Sequence, residues 1–192
     1  VRAKLPELPD QKAARFADEF GLSAYDARHL VDHRATADFF EACMEVAGKD
    51  AAKLAKPVAN LAINDVTAWL NASEDADLAQ SPLTPARAVE LVKLLVEDAI
   101  SSKQAKQVFS AIMDEGKDPL VIVEERGMKQ VSDTGAIEAV VDAAIAANPD
   151  EVARYKEGNT KVIGFFVGQC MKEMRGQGNP KIINQLLAKK LA

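Results

Sequence analysis

The residues with the clearest capacity for chemistry are the basic side chains near the end of the chain. Residues 158–192 hold six basic residues and one acidic residue, Glu173, which gives this stretch a net charge of +5. The whole chain carries −5, so residues 1–157 must carry −10. A small basic end on an acidic body predicts a polyanionic partner for that end alone. The alternative is a solvated basic rim that binds nothing.

Two predicted helices meet within this stretch at a glycine-rich turn, residues 176–178. A helix start offers free backbone N–H groups, and such groups bind phosphate when fixed positive charges flank them. No aromatic side chain is expected beside the turn, which favours contact by shape and charge over stacking on bases. The candidate phosphate-binding residues are Lys161, Lys172, Arg175, Asn179 and Lys181.

Apolar residues at three- and four-residue spacing indicate both helices. Asn159 or Thr160 is expected to cap the first helix, which is expected to stop at Gly176. Asn179 is expected to cap the second, with Pro180 at its first position. The short link between them predicts a helical hairpin.

Gly164 and Gly168 lie four residues apart within the first of these helices. A glycine inside a helix costs roughly 0.5–1 kcal/mol relative to alanine, so two of them need a reason. Close packing of another helix is the favoured explanation, and close approach of a ligand backbone is the alternative. Charged neighbours at Lys161 and Lys172 exclude a membrane-spanning dimer motif.

Composition predicts an all-α protein. Apolar residues make up 48% of the 192 residues but aromatic residues only 5%, whereas a sheet protein is richer in aromatic and β-branched residues. Cys43 and Cys170 lie in helical apolar patterns without metal-ligand spacing, which predicts buried thiols in a reducing compartment. No apolar run is long enough to span a bilayer.

The first 157 residues also show helical periodicity. A helix is predicted over residues 11–20 with Gly21 as its stop, and Ser23 is predicted to cap the next helix. The sole tryptophan, Trp69, is assigned to a core stripe. The other predicted helix starts are Thr36, Pro57, Thr84, Ser102, Asp118, Ser132 or Asp133, and Asn148.

These elements predict a helical bundle domain followed by a smaller helical tail domain. The first is assigned to residues 1–128, with residues 1–9 as an extended entry segment. The second is assigned to residues 129–192 and contains the basic hairpin, with residues 128–133 as the hinge. The chain opens at Val1 rather than Met, which indicates a piece of a longer protein.

No group of residues in the chain predicts catalysis or metal binding. His29 and His33 are four residues apart, but no third ligand is evident. Asp26 stands where a carboxylate stabilises a helix start, and this role is preferred over that of a general base. No catalytic and no metal-binding residues are therefore assigned.

Several motifs resemble one family. The runs KVIGFFVGQCM (161–171) and GQGNPK (176–181) resemble the tail of the B subunit of aspartyl/glutamyl-tRNA amidotransferase, and that tail is a domain shared with the YqeY-like proteins. Earlier runs fit the same family, namely GLSAYDARHL (21–30), ADFFE (37–41), GKDP (116–119) and VEERG (123–127). The resemblance covers most of the chain and implies that the tail domain is YqeY-like.

The resemblance implies a function in protein synthesis. The parent carbon–nitrogen ligase converts Glu-tRNA(Gln) and Asp-tRNA(Asn) to Gln-tRNA(Gln) and Asn-tRNA(Asn), using ATP and Mg²⁺ in an N-terminal domain that this chain lacks. The chain itself is expected to be inert, to need no cofactor and to bind the outer corner of tRNA. The implied partners are tRNA and the A and C subunits of the amidotransferase, in the cytoplasm or an organelle. A helical protein–protein adaptor without an RNA role is the alternative.

Overall fold

A computed structural model describes residues 7–72, 74–131 and 133–191. Within these ranges the regular elements are helices, and one isolated parallel bridge joins Val131 to Gly178. The all-α prediction is confirmed. The first six residues of the expected entry segment lie outside the described residues, and the first helix begins at Pro9.

The helices are α1 (Pro9–Phe20), α2 (Ala24–Val31), α3 (Arg34–Ala47), α4 (Ala51–Asn60), α5 (Thr67–Asn71), α6 (Pro85–Val96), α7 (Ser102–Glu115), α8 (Pro119–Glu125), α9 (Thr134–Ala147), α10 (Pro149–Lys156), α11 (Val162–Glu173) and α12 (Pro180–Leu191). Their contacts group the chain into two compact units. The first unit is Val1–Glu97 with Ser102–Arg126, and the tail unit is Asp98–Ser101 with Gly127–Ala192. The domain boundary after residue 128 stays a prediction.

Aromatic side chains join the first helices of the first unit. The ring of Phe40, from α3, lies 5.0 Å from that of Phe16 and 5.4 Å from that of Phe20, both from α1. Phe16 and Phe40 are fully buried. Each such ring pair contributes about 0.5–1.5 kcal/mol beyond the burial of its area, so this cluster fixes α1 against α3.

The predicted helix caps form where the side chain could be read locally. Ser23 accepts a hydrogen bond from the backbone N–H of Asp26 at 3.0 Å, and Thr84 accepts one from Arg87 at 3.3 Å. Asp133 accepts two, from Gly135 and Ala136. Ser102 is the first residue of α7 rather than its cap.

The expected helix start at Pro57 is wrong. Helix α4 begins at Ala51 and contains Pro57, and a π-helical stretch, Leu61–Val66, then leads into α5. Proline removes one helical hydrogen bond, but this helix buries an apolar face on both sides of Pro57. That burial, by Leu54 and Val58 among others, outweighs the local preference. Trp69 follows and is half-buried.

The tail unit has its own core, built from three helices. Fully buried side chains from α9, α11 and α12 meet there, and α10 contributes the half-buried Val152 and Tyr155. Lys190 at the end of α12 pairs with Glu138 and Asp142 of α9 at 2.7 and 2.6 Å. The buried core residues are Ile137, Val141, Val162, Phe166, Cys170, Ile183, Leu187 and Leu191.

The segment expected to be the hinge is hydrogen-bonded within the tail unit. Val131 donates its N–H to Gln177 O at 2.7 Å, and Asn179 donates to Val131 O at 3.3 Å. Gln130 donates to Ala99 O at 2.8 Å, which attaches the loop between α6 and α7 to the same unit. The sequence did not indicate this contact, and motion about residues 128–133 stays a prediction.

Candidate nucleic-acid interface

Helix α11 has one buried and one exposed face. Val162, Phe166 and Cys170 point into the tail core at intervals of four residues. The opposite face is exposed and belongs to residues that fall on one side when a helix turns by about 100° per residue. These exposed residues are Lys161, Gly164, Phe165, Gly168, Gln169 and Lys172.

The ends of α11 differ from the prediction. Neither Asn159 nor Thr160 caps it through a side chain; Lys161 is the residue before the helix, and the backbone bonds of a tight turn start it. Val162 N–H donates to Asn159 O at 3.2 Å. The helix ends at Glu173, three residues before the expected stop at Gly176, because a turn closes there instead.

That turn presents Arg175 in an unusual backbone conformation. Arg175 has φ 51° and Gly176 has φ 78°, both left-handed, and Gly176 N–H donates to Met171 O at 2.7 Å. A left-handed backbone is uncommon for a residue other than glycine and costs roughly 1–2 kcal/mol. The Arg175 side chain is exposed at the tip of the hairpin.

Three of the candidate cations are exposed and unpaired. Lys161, Lys172 and Arg175 form no ion pair with any other described residue, in contrast to Lys190, which bridges two carboxylates. Carboxylate partners raise the pKa of Lys190. Lys181 is intermediate: its side chain is 70% exposed, and its Nζ lies 3.8 Å from a carboxylate oxygen of Asp98.

Asn179 is buried and positions the turn. Only 3% of the residue is exposed, and its Oδ1 accepts the N–H of Lys181 at 3.0 Å. Pro180 has no N–H to offer. The first turn of α12 therefore leaves at most one N–H, that of Ile182, for a ligand. The expectation of several free N–H groups at this helix start is wrong, since the cap occupies one and proline removes another.

The two glycines of α11 face open space. An ideal Cβ built on Gly164 or on Gly168 has no heavy atom of the described residues within 4 Å, outside its own helix and chain neighbours. The favoured explanation, close packing of another helix, is therefore wrong within the described part of the chain. The alternative, approach of a ligand backbone, stays a prediction.

Phe165 lies on the same face, although no aromatic side chain was expected near the cations. It is 40% exposed, and its ring meets that of the buried Phe166 at 5.6 Å and 75°. The helical spacing carried a signal for this placement. Lys161, Phe165, Gly168 and Lys172 share one side at about 100° per residue, and the predicted apolar stripe passed through Phe166 instead.

A family model described as the GatB domain matches residues 38–191, and this range includes the whole of α11, the turn and α12. The match covers well over half of the chain. The chain belongs to the GatB domain family.

The curated relatives of this GatB-domain chain carry one name, that of the B subunit of aspartyl/glutamyl-tRNA(Asn/Gln) amidotransferase. The protein from Dinoroseobacter shibae is 52% identical over 192 residues, which is 100% of this chain and 37% of the relative. That from Rhizorhabdus wittichii is 48% identical over 190 residues, or 99% of this chain and 38% of the relative. That from Picosynechococcus is 45% identical over 189 residues, or 98% of this chain and 37% of the relative. The chain thus spans less than two fifths of these relatives.

Other titratable groups of the GatB-domain chain lie away from this face. His29 Nδ1 is 3.0 Å from Asp32 Oδ2, and its ring packs against that of Tyr25 at 4.3 Å. Burial raises the pKa of Cys43 to about 12 and also raises that of Cys170, so both thiols stay protonated at neutral pH. No helix in the described residues is long and apolar enough to cross a membrane.

Proposed function

We propose that this chain is the tRNA-binding C-terminal region of the B subunit of an aspartyl/glutamyl-tRNA(Asn/Gln) amidotransferase. The whole subunit then helps to convert Glu-tRNA(Gln) and Asp-tRNA(Asn) to Gln-tRNA(Gln) and Asn-tRNA(Asn). This region holds the outer corner of the tRNA while chemistry proceeds elsewhere. Support comes from the GatB domain match and from relatives, about half identical, whose name states a tRNA-dependent activity.

The observation that carries the proposal is the set of unpaired cations on the exposed side of α11 and its turn. Lys161 and Lys172 lie on one helix face and Arg175 follows at the tip, with no acidic partner among the described residues. The rest of the chain is acidic overall, and several of its cations are paired. Cations left without partners on one face are suited to the phosphates of an RNA backbone.

Catalysis is assigned to parts of the enzyme beyond these residues. ATP and Mg²⁺ would be used by the remainder of the B subunit, and ammonia would come from the A subunit, with the C subunit as a further partner in the cytoplasm. This chain contributes binding only, so it turns over neither ATP nor glutamine by itself.

The second candidate function, a protein–protein adaptor, has one observation in its favour. Leu120 and Val121 of α8 are 45% and 41% exposed, which leaves two adjacent apolar side chains in water. Exposed apolar groups of this kind mark protein contacts when they form larger patches. An adaptor would bind protein through such groups and would not respond to salt as RNA binding does.

Electrophoretic shift of unmodified tRNA by the whole chain at several salt concentrations tests the proposal. We expect binding whose logarithmic affinity falls linearly with the logarithm of salt concentration, because each neutralised phosphate releases counterions. A slope of roughly −2 to −3 is expected from three contacts at about 0.7–0.9 each. If no shift occurs near ~0.05 M salt, or if the shift does not depend on salt, RNA binding is contradicted and the adaptor is favoured.

A further inference from the structure

We infer that Phe165 stacks on an unpaired base of the bound RNA. The exposed side of α11 then selects RNA that presents a splayed nucleotide, in addition to binding phosphates. This inference rests on the proposed function, since it adds a base contact to the same surface. It also replaces the sequence-based expectation that this surface binds by shape and charge alone.

Phe165 is exposed although the residue that follows it is buried. Among the described residues of the tail unit, it is the one large apolar side chain with 40% or more of its surface exposed. Its neighbour Phe166 is fully buried, and the two rings meet edge to face at 5.6 Å. The core thus holds one edge of the Phe165 environment in place, which leaves a partly oriented aromatic group at the surface.

The surroundings of Phe165 decide the chemistry of its partner. Lys161 lies one helical turn before it and Lys172 two turns after it, both exposed and both without an ion pair among the described residues. An apolar protein surface would be a poor match for a ring bracketed by two free cations. A polyanion with aromatic groups is complementary to both features, and RNA is the polymer that has them.

The two glycines keep access to the ring open. Positions 164 and 168, which adjoin Phe165 on the helix surface, carry no side chain, and no other described heavy atom lies within 4 Å of a Cβ built there. Bases in a duplex are stacked on each other, and their faces are closed to a side chain. The partner of Phe165 must therefore be a base in a loop, bulge or single-stranded end.

Variants of Phe165 test the inference in the whole chain. We expect Phe165→Ala to weaken binding of unmodified tRNA on the order of 5- to 100-fold, the range for loss of one base–aromatic stack. The slope of affinity against salt should not change, because no phosphate contact is lost. Phe165→Tyr should retain binding, whereas Phe165→Leu should lose it, since leucine keeps the apolar contact but has no π face. Far-UV circular dichroism checks that each variant is folded.

A fully paired RNA duplex of matched length is the second probe. The parent chain and Phe165→Ala should bind this duplex equally, because it offers phosphates without open bases. If Phe165→Ala or Phe165→Leu binds tRNA as well as the parent does, Phe165 is not a stacking residue. If Phe165→Ala weakens duplex and tRNA equally, the ring contributes to packing rather than to base contact.

Failure of this inference can be separated from failure of the proposed function. If Lys172→Ala weakens tRNA binding and flattens the salt slope while Phe165→Ala does neither, RNA binding stands and stacking is overturned. If the parent chain does not bind tRNA at all, both are overturned. If Phe165→Ala instead abolishes binding to the purified A and C subunits while tRNA binding is unchanged, the ring contacts protein and the inference is wrong.

Discussion

Replacing Lys161, Lys172 and Arg175 together by alanine should weaken tRNA binding on the order of 100- to 1,000-fold near ~0.1 M salt. All three side chains are exposed and have no ion pair with a described residue, so their removal leaves no orphaned carboxylate among these residues. Each phosphate contact contributes roughly 0.7–0.9 to the slope of log affinity against log salt. Three contacts therefore contribute about two to three decades between roughly 1 M and 0.1 M salt.

The same substitution tests the number of contacts. The salt slope should fall by roughly 0.7–0.9 for each cation removed, and single variants should weaken several tRNA sequences about equally. The matched control replaces three exposed lysines of the first unit, Lys53, Lys56 and Lys103, with alanine, which gives the same change in net charge. A control as weak as the tail variant would show that total charge, rather than this face, determines binding.

The glycines of the tail unit should respond to alanine in opposite ways. Gly164→Ala and Gly168→Ala should each stabilise the fold by about 0.5–1 kcal/mol, because both positions are helical and a Cβ there meets nothing. Gly178→Ala should destabilise it by about 1–3 kcal/mol. Its Cβ would lie 2.7 Å from Met174 Sδ and 2.9 Å from Ile183 Cδ1, and Ile183 is fully buried.

Binding should move against stability in the first two of these variants. If an RNA backbone approaches α11 at Gly164 and Gly168, the double alanine variant should bind tRNA on the order of 10-fold more weakly although its melting temperature is higher. Thermal unfolding and an electrophoretic shift on the same preparation measure both quantities. A double variant that is more stable and binds tRNA as well as the parent would show that the glycines do not serve close approach.

Local signals in the sequence were sufficient for most of the fold. Ser23, Thr84 and Asp133 cap helices because a side-chain oxygen two or three residues from a free N–H needs no distant partner. Apolar spacing located the buried stripe of α11 for the same reason. Pro57 was misjudged because burial of α4 on both sides of it depends on tertiary packing, which outweighs a local preference.

Features that depend on distant residues could not be predicted. The burial of Asn179 follows from its place beside Val131, and the attachment of the loop at residues 98–101 follows from one hydrogen bond between Gln130 and Ala99. The open space over Gly164 could not be predicted either, because the sequence does not show which helix faces stay uncovered. The exposure of Phe165 was within reach of a helical projection.

Ultraviolet cross-linking of tRNA to the whole chain tests the central claim most directly, that RNA contacts the exposed face of α11. Trypsin cleaves after Lys161 and Lys172, so one peptide, residues 162–172, carries Phe165 and both glycines. We expect mass spectrometry to find the cross-linked nucleotide on this peptide, with Phe165→Ala reducing its yield. Cross-links confined to peptides of the first unit, from a chain that binds tRNA, would contradict the account.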